Sequence, residues 1–325
     1  MSLLVALGTA KGVHILKPGK REGDWSAVAQ GLIEHPVRAL ALHPDGSLFA
    51  GATNAMVYRT TDGLSWKPLY EGLKFTSVYS LSIHPLKPDT IFCGTNPAAV
   101  FKSTDTGKTW RQMEAFNQVP GRDNWTYYHA PYTARVRHLV QHPLEPDAIF
   151  AAIEVGGLIA SLDAGRTWMP RHEHLGRDIN QLAIHPGQAG RIYAVSDSGF
   201  YVSDDLGSTW EHRIQGLPYT YCECLAVDPR DPDRLIMGVN QVRDDRGGSI
   251  FCSTNSGKHW EIAAAGLPSL ADRAVTAVAS HPDGWWFAAT NKGDLLGSQD
   301  FGAKWQRLDA NLPPVHSILP LPWNR

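Results

Sequence analysis

The block Ser-x-Asp-x-Gly-x-x-Trp recurs along this chain of 325 residues and constrains its architecture more than any other feature. It reads STDTGKTW at 103–110, SLDAGRTW at 161–168, SDDLGSTW at 203–210, STNSGKHW at 253–260 and SQDFGAKW at 298–305. A shortened copy ends at Trp66 and a worn remnant at Trp25, so seven tryptophans stand in register at intervals of 41 to 58 residues. Repeats of that period belong to propellers and other closed or stacked arrays, in which no unit buries its apolar face alone.

Superposing the chain on itself gives a unit of four short strands. The first strand alternates aliphatic and other residues and ends in His-Pro or Asp-Pro, as in VRALALHP (37–44) and CECLAVDP (222–229). Short Pro/Gly/Asp turns lead to a second and a third strand, and the repeated block makes the turn into the fourth. The N-terminus opens on a second strand (3–9), whereas the C-terminus ends on an isolated first strand (315–322). Each supplies what the other lacks. The expectation is an all-β fold, one domain over 1–325, of seven four-stranded antiparallel blades closed by both termini sharing a blade, which leaves no open outer edge. Pro320 and Pro322 suit an innermost strand, one side of which bonds to no neighbour.

The block, over essentially the full chain, resembles the Asp-box (BNR) repeat family. That family includes sialidases, sortilin-type receptor propellers, xyloglucan-cleaving glycosidases and a photosystem II assembly factor, so the resemblance implies a fold and leaves activity open. The chain lacks the Arg-Ile-Pro segment and six blades usual in sialidases, and the paired propellers of the xyloglucan enzymes.

The repeated residues themselves read as structural. An aspartate can accept the backbone N–H groups of its own turn, glycine supplies a positive φ, and tryptophan fills the space between blades. Asp105, Asp163, Asp205 and Asp300 are therefore expected to be turn staples, and the histidines before proline, His43, His84, His142, His185 and His281, turn formers. His174 falls where other repeats carry Gly31, Gly72, Gly216 and Gly266, which marks a positive-φ site rather than a metal ligand. No metal and no cofactor is expected.

With 30 basic and 32 acidic side chains the net charge is −2, which argues against a nucleic-acid partner. No apolar run is long enough for a membrane span. The opening MSLLVALGTAKGVHIL lacks a secretory signal pattern, and the spacing of Cys93, Cys222, Cys224 and Cys252 suggests neither disulfides nor zinc. The expected compartment is the cytoplasm.

Departures from the repeat point to function. Insertions at 114–135 and 240–249 both fall in turns that emerge on one face of a meander, and elaboration of one face marks a binding face. The first carries Trp125, Tyr127, Tyr128, His129 and Tyr132, either a loop folded on its own aromatics or a wall beside the central channel. Arg243 lies in the second. Near the start of each innermost strand the repeat places Arg38, Tyr79, Arg137, Asn180, Glu223, Thr276 and His316, which propeller symmetry would gather at the channel mouth. Arginines there suit a carboxylate, phosphate or sulfate. A channel mouth is also wet, so polar residues need no purpose there, and a one-residue slip would invert the assignment.

Three functions fit. The first is a recognition module binding a small anionic or carbohydrate-like ligand, or a protein segment, through Arg38, Arg137, Asn180, Thr276, Arg243 and the aromatic insertion. The second is a hydrolase or lyase with Glu223 as general acid or base and His316 and Tyr79 as proton-transfer groups. Glu154 and Asp197, otherwise read as solvated charge, would be candidates for its second carboxylate. The third is an assembly scaffold resembling the photosystem factor.

Overall fold

The computed structural model describes residues 3–20, 23–188, 190–243, 246–263, 265–309 and 311–321. Its strands form seven four-stranded antiparallel sheets arranged as a β-propeller. From the channel outward the first blade is Val37–Leu42, Leu48–Ala52, Met56–Thr60 and Lys67–Pro68. The innermost strands of the next five are Ser77–Ile83, Val136–Gln141, Ile179–Ala183, Tyr221–Asp228 and Val275–Ser280. The seventh blade is composite: C-terminal Val315–Leu321 lies innermost and pairs with N-terminal Leu4–Thr9, which continues outward to Gly12–Pro18 and Trp25–Gly31. Pro320 sits in that strand opposite Val5; Pro322 lies outside the described residues.

Second and third strands are buried almost throughout, Ile149–Ile153 and Gly157–Ser161 along their whole lengths, because each blade is covered on both faces by its neighbours. The repeated block ties those blades together. Asp105 Oδ1 accepts the Ser103 hydroxyl at 2.7 Å and the Thr109 N–H at 2.9 Å, while Oδ2 accepts the Thr109 hydroxyl at 2.7 Å. Asp163 and Asp205 repeat the arrangement, and Asn255 keeps the two bonds that one oxygen can accept. Burial opposes ionisation of Asp105 and Asp163, but these bonds win and hold both carboxyls down at about 2. The residue before the glycine is left-handed too: Thr106, Ala164, Leu206, Ser256 and Phe301 have φ between 57° and 60°.

After the turn, the Trp110 indole donates to Leu69 O of the preceding blade at 3.1 Å, and Trp260 donates to Arg213 O at 3.3 Å. The backbone joins as well, with Trp260 N–H donating to Gln215 O at 2.9 Å. This close approach explains the glycine beneath it: a Cβ on Gly216 (φ 93°) would overlap the carbonyl oxygen of Trp260. His174 has φ 63° at the corresponding place. In the composite blade the left-handed residue is Leu32 (φ 55°) and not Gly31, a one-residue offset from the expectation.

Candidate functional site

Every innermost strand is irregular near its start, and at the same place. The pairing with the second strand skips a residue between Val37 and Ala39, Val78 and Ser80, Val136 and His138, Ile179 and Gln181, Cys222 and Cys224, and Val275 and Ala277. In the composite blade the skip falls between Val315 and Ser317. The skipped residues are Arg38, Tyr79, Arg137, Asn180, Glu223, Thr276 and His316. A bulge leaves its extra residue outside the ladder and re-aims its side chain. All seven line one cavity of about 460 Å³ at the mouth of the channel.

The polar groups around this cavity form a connected network. Arg135, two residues before Arg137, binds Glu154 and donates to the hydroxyls of Tyr79 and Tyr127, each at 3.1 Å. Its guanidinium carbon lies 4.6 Å from the Tyr79 ring centre and 4.5 Å from that of Tyr127, within cation–π range of both. Arg137 donates to Glu154 at 3.2 Å through one nitrogen and binds Glu223 through the other. Arg243 reaches in from the 240–249 loop, binds Asp178, and donates to Glu154 at 3.1 Å. Glu154 is fully buried. Burial alone would raise its pKa, but Arg137, Arg135 and Arg243 outweigh that and hold it below the usual carboxylate range. Asp178, with fewer cations about it, is raised by burial.

On the other side of the mouth Arg38 donates to His316 Nδ1 at 3.2 Å and lies 5.9 Å from the Tyr79 ring centre. Burial and the adjacent Arg38 push His316 down to about 3, so at neutral pH it is an uncharged acceptor. Burial and Arg137 likewise hold His138 at about 4. Asn180 and Thr276 face the cavity but spend a donor on the next blade: Asn180 Nδ2 on Cys222 O at 2.8 Å, and the Thr276 hydroxyl on Val315 O at 2.6 Å.

The two insertions emerge together. Arg243 stacks over Tyr128 with 4.0 Å between its guanidinium carbon and the ring centre, fastening the 240–249 loop to the 114–135 segment. The first half of that segment is an anchor. Phe116 is buried and meets Trp168 edge-on at 5.1 Å, and Trp125 packs on Phe116 at 5.6 Å while Arg122 covers its ring at 4.8 Å. Trp125 is half-buried, packs against the core and does not line the cavity. Of the insertion's aromatics, Tyr127 lines the cavity; His129 rests on Tyr127 at 5.7 Å, and Tyr132 is 62% exposed outside. Arg243 does not line the cavity either, and acts as the clasp.

Arg135 and Asp178 were not singled out from the sequence, and Glu154 was expected to be solvated. A signal for Glu154 exists in the register. The residues one place beyond the second-strand partners of the bulges are Thr53, Asn96, Glu154, Asp197, Asn240 and Asn291, a column in which glutamate is the outlier. Among the described residues, no group of three or more His, Cys, Asp or Glu side chains is placed to hold a metal ion. No described helix is long and apolar enough to cross a membrane.

No protein-family model matches the chain. Over 237 residues it is 25% identical to the probable oligoxyloglucan-reducing end-specific xyloglucanase of Neosartorya fischeri, a match that takes in 66% of this chain and 27% of that protein. Among solved structures it resembles the GH74 xyloglucanase from Xanthomonas campestris, with a TM-score of 0.65 and 18% identity over 85% of this chain and 45% of the other. It also resembles YCF48 bound to D1 peptide, with a TM-score of 0.59 and 23% identity over 83% and 81% of the two chains. The chain thus spans about a quarter of its curated relative and just under half of the xyloglucanase structure, and what it shares with the solved structures is the seven-bladed propeller fold.

Proposed function

We propose that this protein is a recognition module that binds an anionic or carbohydrate-like ligand, or a protein segment, at the channel mouth, and that its repeats are Asp-box repeats. The observation that carries the reading is the convergence of seven bulge side chains, one per blade, on a single cavity whose carboxylates are already held by arginines. The likeness to YCF48 bound to D1 peptide supports the protein-segment form of this reading.

The xyloglucanase relatives favour the second reading, a glycosidase with Glu223 at its centre. The chemistry of the mouth weighs against it. A glycosidase needs one carboxyl kept protonated and a second across an open gap of about 5–9.5 Å. Glu223 and Glu154 instead share the guanidinium of Arg137, and Glu154 is held ionised. His316 is neutral with its Nδ1 engaged by Arg38, which leaves it a poor proton donor at neutral pH.

Titration calorimetry with acetate, inorganic phosphate and a xyloglucan oligosaccharide, alongside a reducing-end assay on xyloglucan, separates the readings. Binding of at least one probe without hydrolysis, weakened by Arg137→Ala, is the expected result. Hydrolysis that disappears in Glu223→Gln would replace the recognition reading with the enzyme.

A further inference from the structure

The bulge ring is only the upper rim of the cavity. Two residues further along the same strands, Leu40, Leu81, Val278 and Ile318 line its deeper wall in blades one, two, six and seven. Leu40, Leu81 and Ile318 are only half buried although they lie inside the ring of blades. Each packs one side on a blade core and leaves apolar surface facing the channel. Blades three and four place His138 and Gln181 one residue beyond their own bulges, and both are committed to the wall: His138 Nδ1 accepts the Leu182 N–H at 3.4 Å, and Gln181 Oε1 the Leu225 N–H at 3.0 Å. On the first side Ser80 and Ser317 stand between the bulge residues and Leu81 and Ile318, with the Ser80 hydroxyl donating to Val136 O at 3.2 Å, so the throat offers apolar patches set among hydroxyls on one side and groups bonded to its own wall on the other.

Charge is placed differently from apolar surface. The described side chains lining the cavity include three guanidiniums, Arg38, Arg135 and Arg137, against one carboxylate, Glu223, and Glu154 behind them adds a second. His138 and His316 contribute no charge at neutral pH. The cavity thus carries an excess of one positive charge at its rim. Arg38 is the most exposed of the three arginines, and it stands on the same side of the channel as Leu40, Leu81 and Ile318.

We infer that the cavity takes an amphiphilic monocarboxylate, with its anionic head on Arg38 beside Tyr79 and His316 and its apolar body in the throat between Leu40, Leu81, Val278 and Ile318. This rests on the recognition reading above and narrows it to one ligand class. A volume of about 460 Å³ suits an acyl or aryl body of modest size and falls within the range of small-molecule sites. A sugar would leave its hydroxyls against the leucines, and inorganic phosphate would leave the throat unfilled.

A homologous series on the unaltered protein provides the test. Ligand-observed NMR titrations of acetate, butyrate, hexanoate and octanoate should show affinity rising by up to about three- to four-fold per added methylene until the throat is full. Hexanol should bind more weakly than hexanoate, and Arg38→Gln should weaken hexanoate by about ten-fold, the loss of a charge-assisted contact. Ile318→Asn should flatten the series, and because the series is first measured on the natural sequence, a variant that fails to fold costs the test nothing. Equal affinity for acetate and octanoate would overturn the amphiphile and leave anion recognition standing. Hexanol binding as tightly as hexanoate would overturn the role of Arg38. No binding by any member would overturn the inference outright, while the phosphate and oligosaccharide titrations would still decide the recognition reading on their own.

Discussion

Two sets of repeated positions run round this molecule, five full block turns on the outside and seven bulges within, and they treat repetition in opposite ways. In the block turns residue type and backbone geometry repeat together: Ser, Asp or Asn, Gly and Trp, with the same hydrogen bonds and the same left-handed φ values. In the bulges only the backbone repeats. The same skipped pairing carries Arg, Tyr, Arg, Asn, Glu, Thr and His. Where side chains build the turn they vary little, Asn255 for aspartate being one such change; where the ladder builds the bulge, the side chain is released for other work.

The strongest challenge to that contrast is to remove a member of the outer ring. Trp260 is fully buried between blades and donates across the seam, so Trp260→Ala should cost about 3–5 kcal/mol of unfolding free energy, read as a lower denaturant midpoint. A loss below about 1 kcal/mol would mean that the seams do not hold the ring together. Glu154 tests the inner network on nearly the same scale. Glu154→Gln leaves Arg135, Arg137 and Arg243 facing one another without their shared, fully buried carboxylate, and breaking such a group costs about 3–5 kcal/mol. The same variant should loosen the Tyr127–Tyr128 segment, giving faster amide exchange there than in the block turns.

Acid sharpens the comparison, because the two rings fail in different pH windows. His138 and His316 have folded pKa values near 4 and 3, below the ordinary 6.5, so the unfolded chain binds more protons and stability falls as pH drops from about 6.5 towards 4. Asp105 and Asp163 are depressed to about 2, so their contribution is complete above about pH 4 and is lost only as pH falls through 2. Unfolding free energy measured against pH should therefore begin to fall below about pH 6.5, and this early loss should shrink in a His138→Gln, His316→Gln double variant without vanishing, because burial lowers the pKa values of His84, His142 and His281 as well. The block turns supply their own control. Asn255 already stands in for aspartate in one repeat, so Asp105→Asn should change stability at pH 7 by less than about 1 kcal/mol. Asp105→Ala, which leaves the Thr109 and Ser103 donors without an acceptor, should cost about 1–2 kcal/mol.

The sequence carried most of the outer ring and about half of the inner one, for a physical reason. A turn that depends on a carboxylate, a glycine and an indole writes itself into residue identity, so the blade count, the composite closure and the staple role of the aspartates were readable. The bulge positions were readable only as a column in an alignment, and the bulge itself, which keeps those residues in the mouth, leaves no residue signature. Network partners were harder still. Glu154 meets Arg137 across 17 residues, Arg243 across 89, and Arg135 lies only 19 residues away, yet nothing in sequence spacing joins the three. Within the aromatic insertion Trp125 and Tyr127 look alike in composition, and only packing shows that one lies on Phe116 and the other on Arg135.

The smallest expected effect discriminates most finely. Arg38 is exposed, bonds a neutral histidine, and belongs to the ring whose side chains the backbone does not require. If bulge side chains are free of structural duty, Arg38→Gln should leave the denaturant midpoint within the equivalent of about 0.5 kcal/mol of the natural protein. It should also relieve His316 of the neighbouring charge and move its pKa upward, visible in the pH titration of its ring proton resonances. Because burial is the larger cause of the His316 depression, the pKa should stay below 6.5 even then. A large loss of stability with no change in the histidine titration would show that Arg38 is a structural staple after all, and that the two rings differ in composition but not in duty.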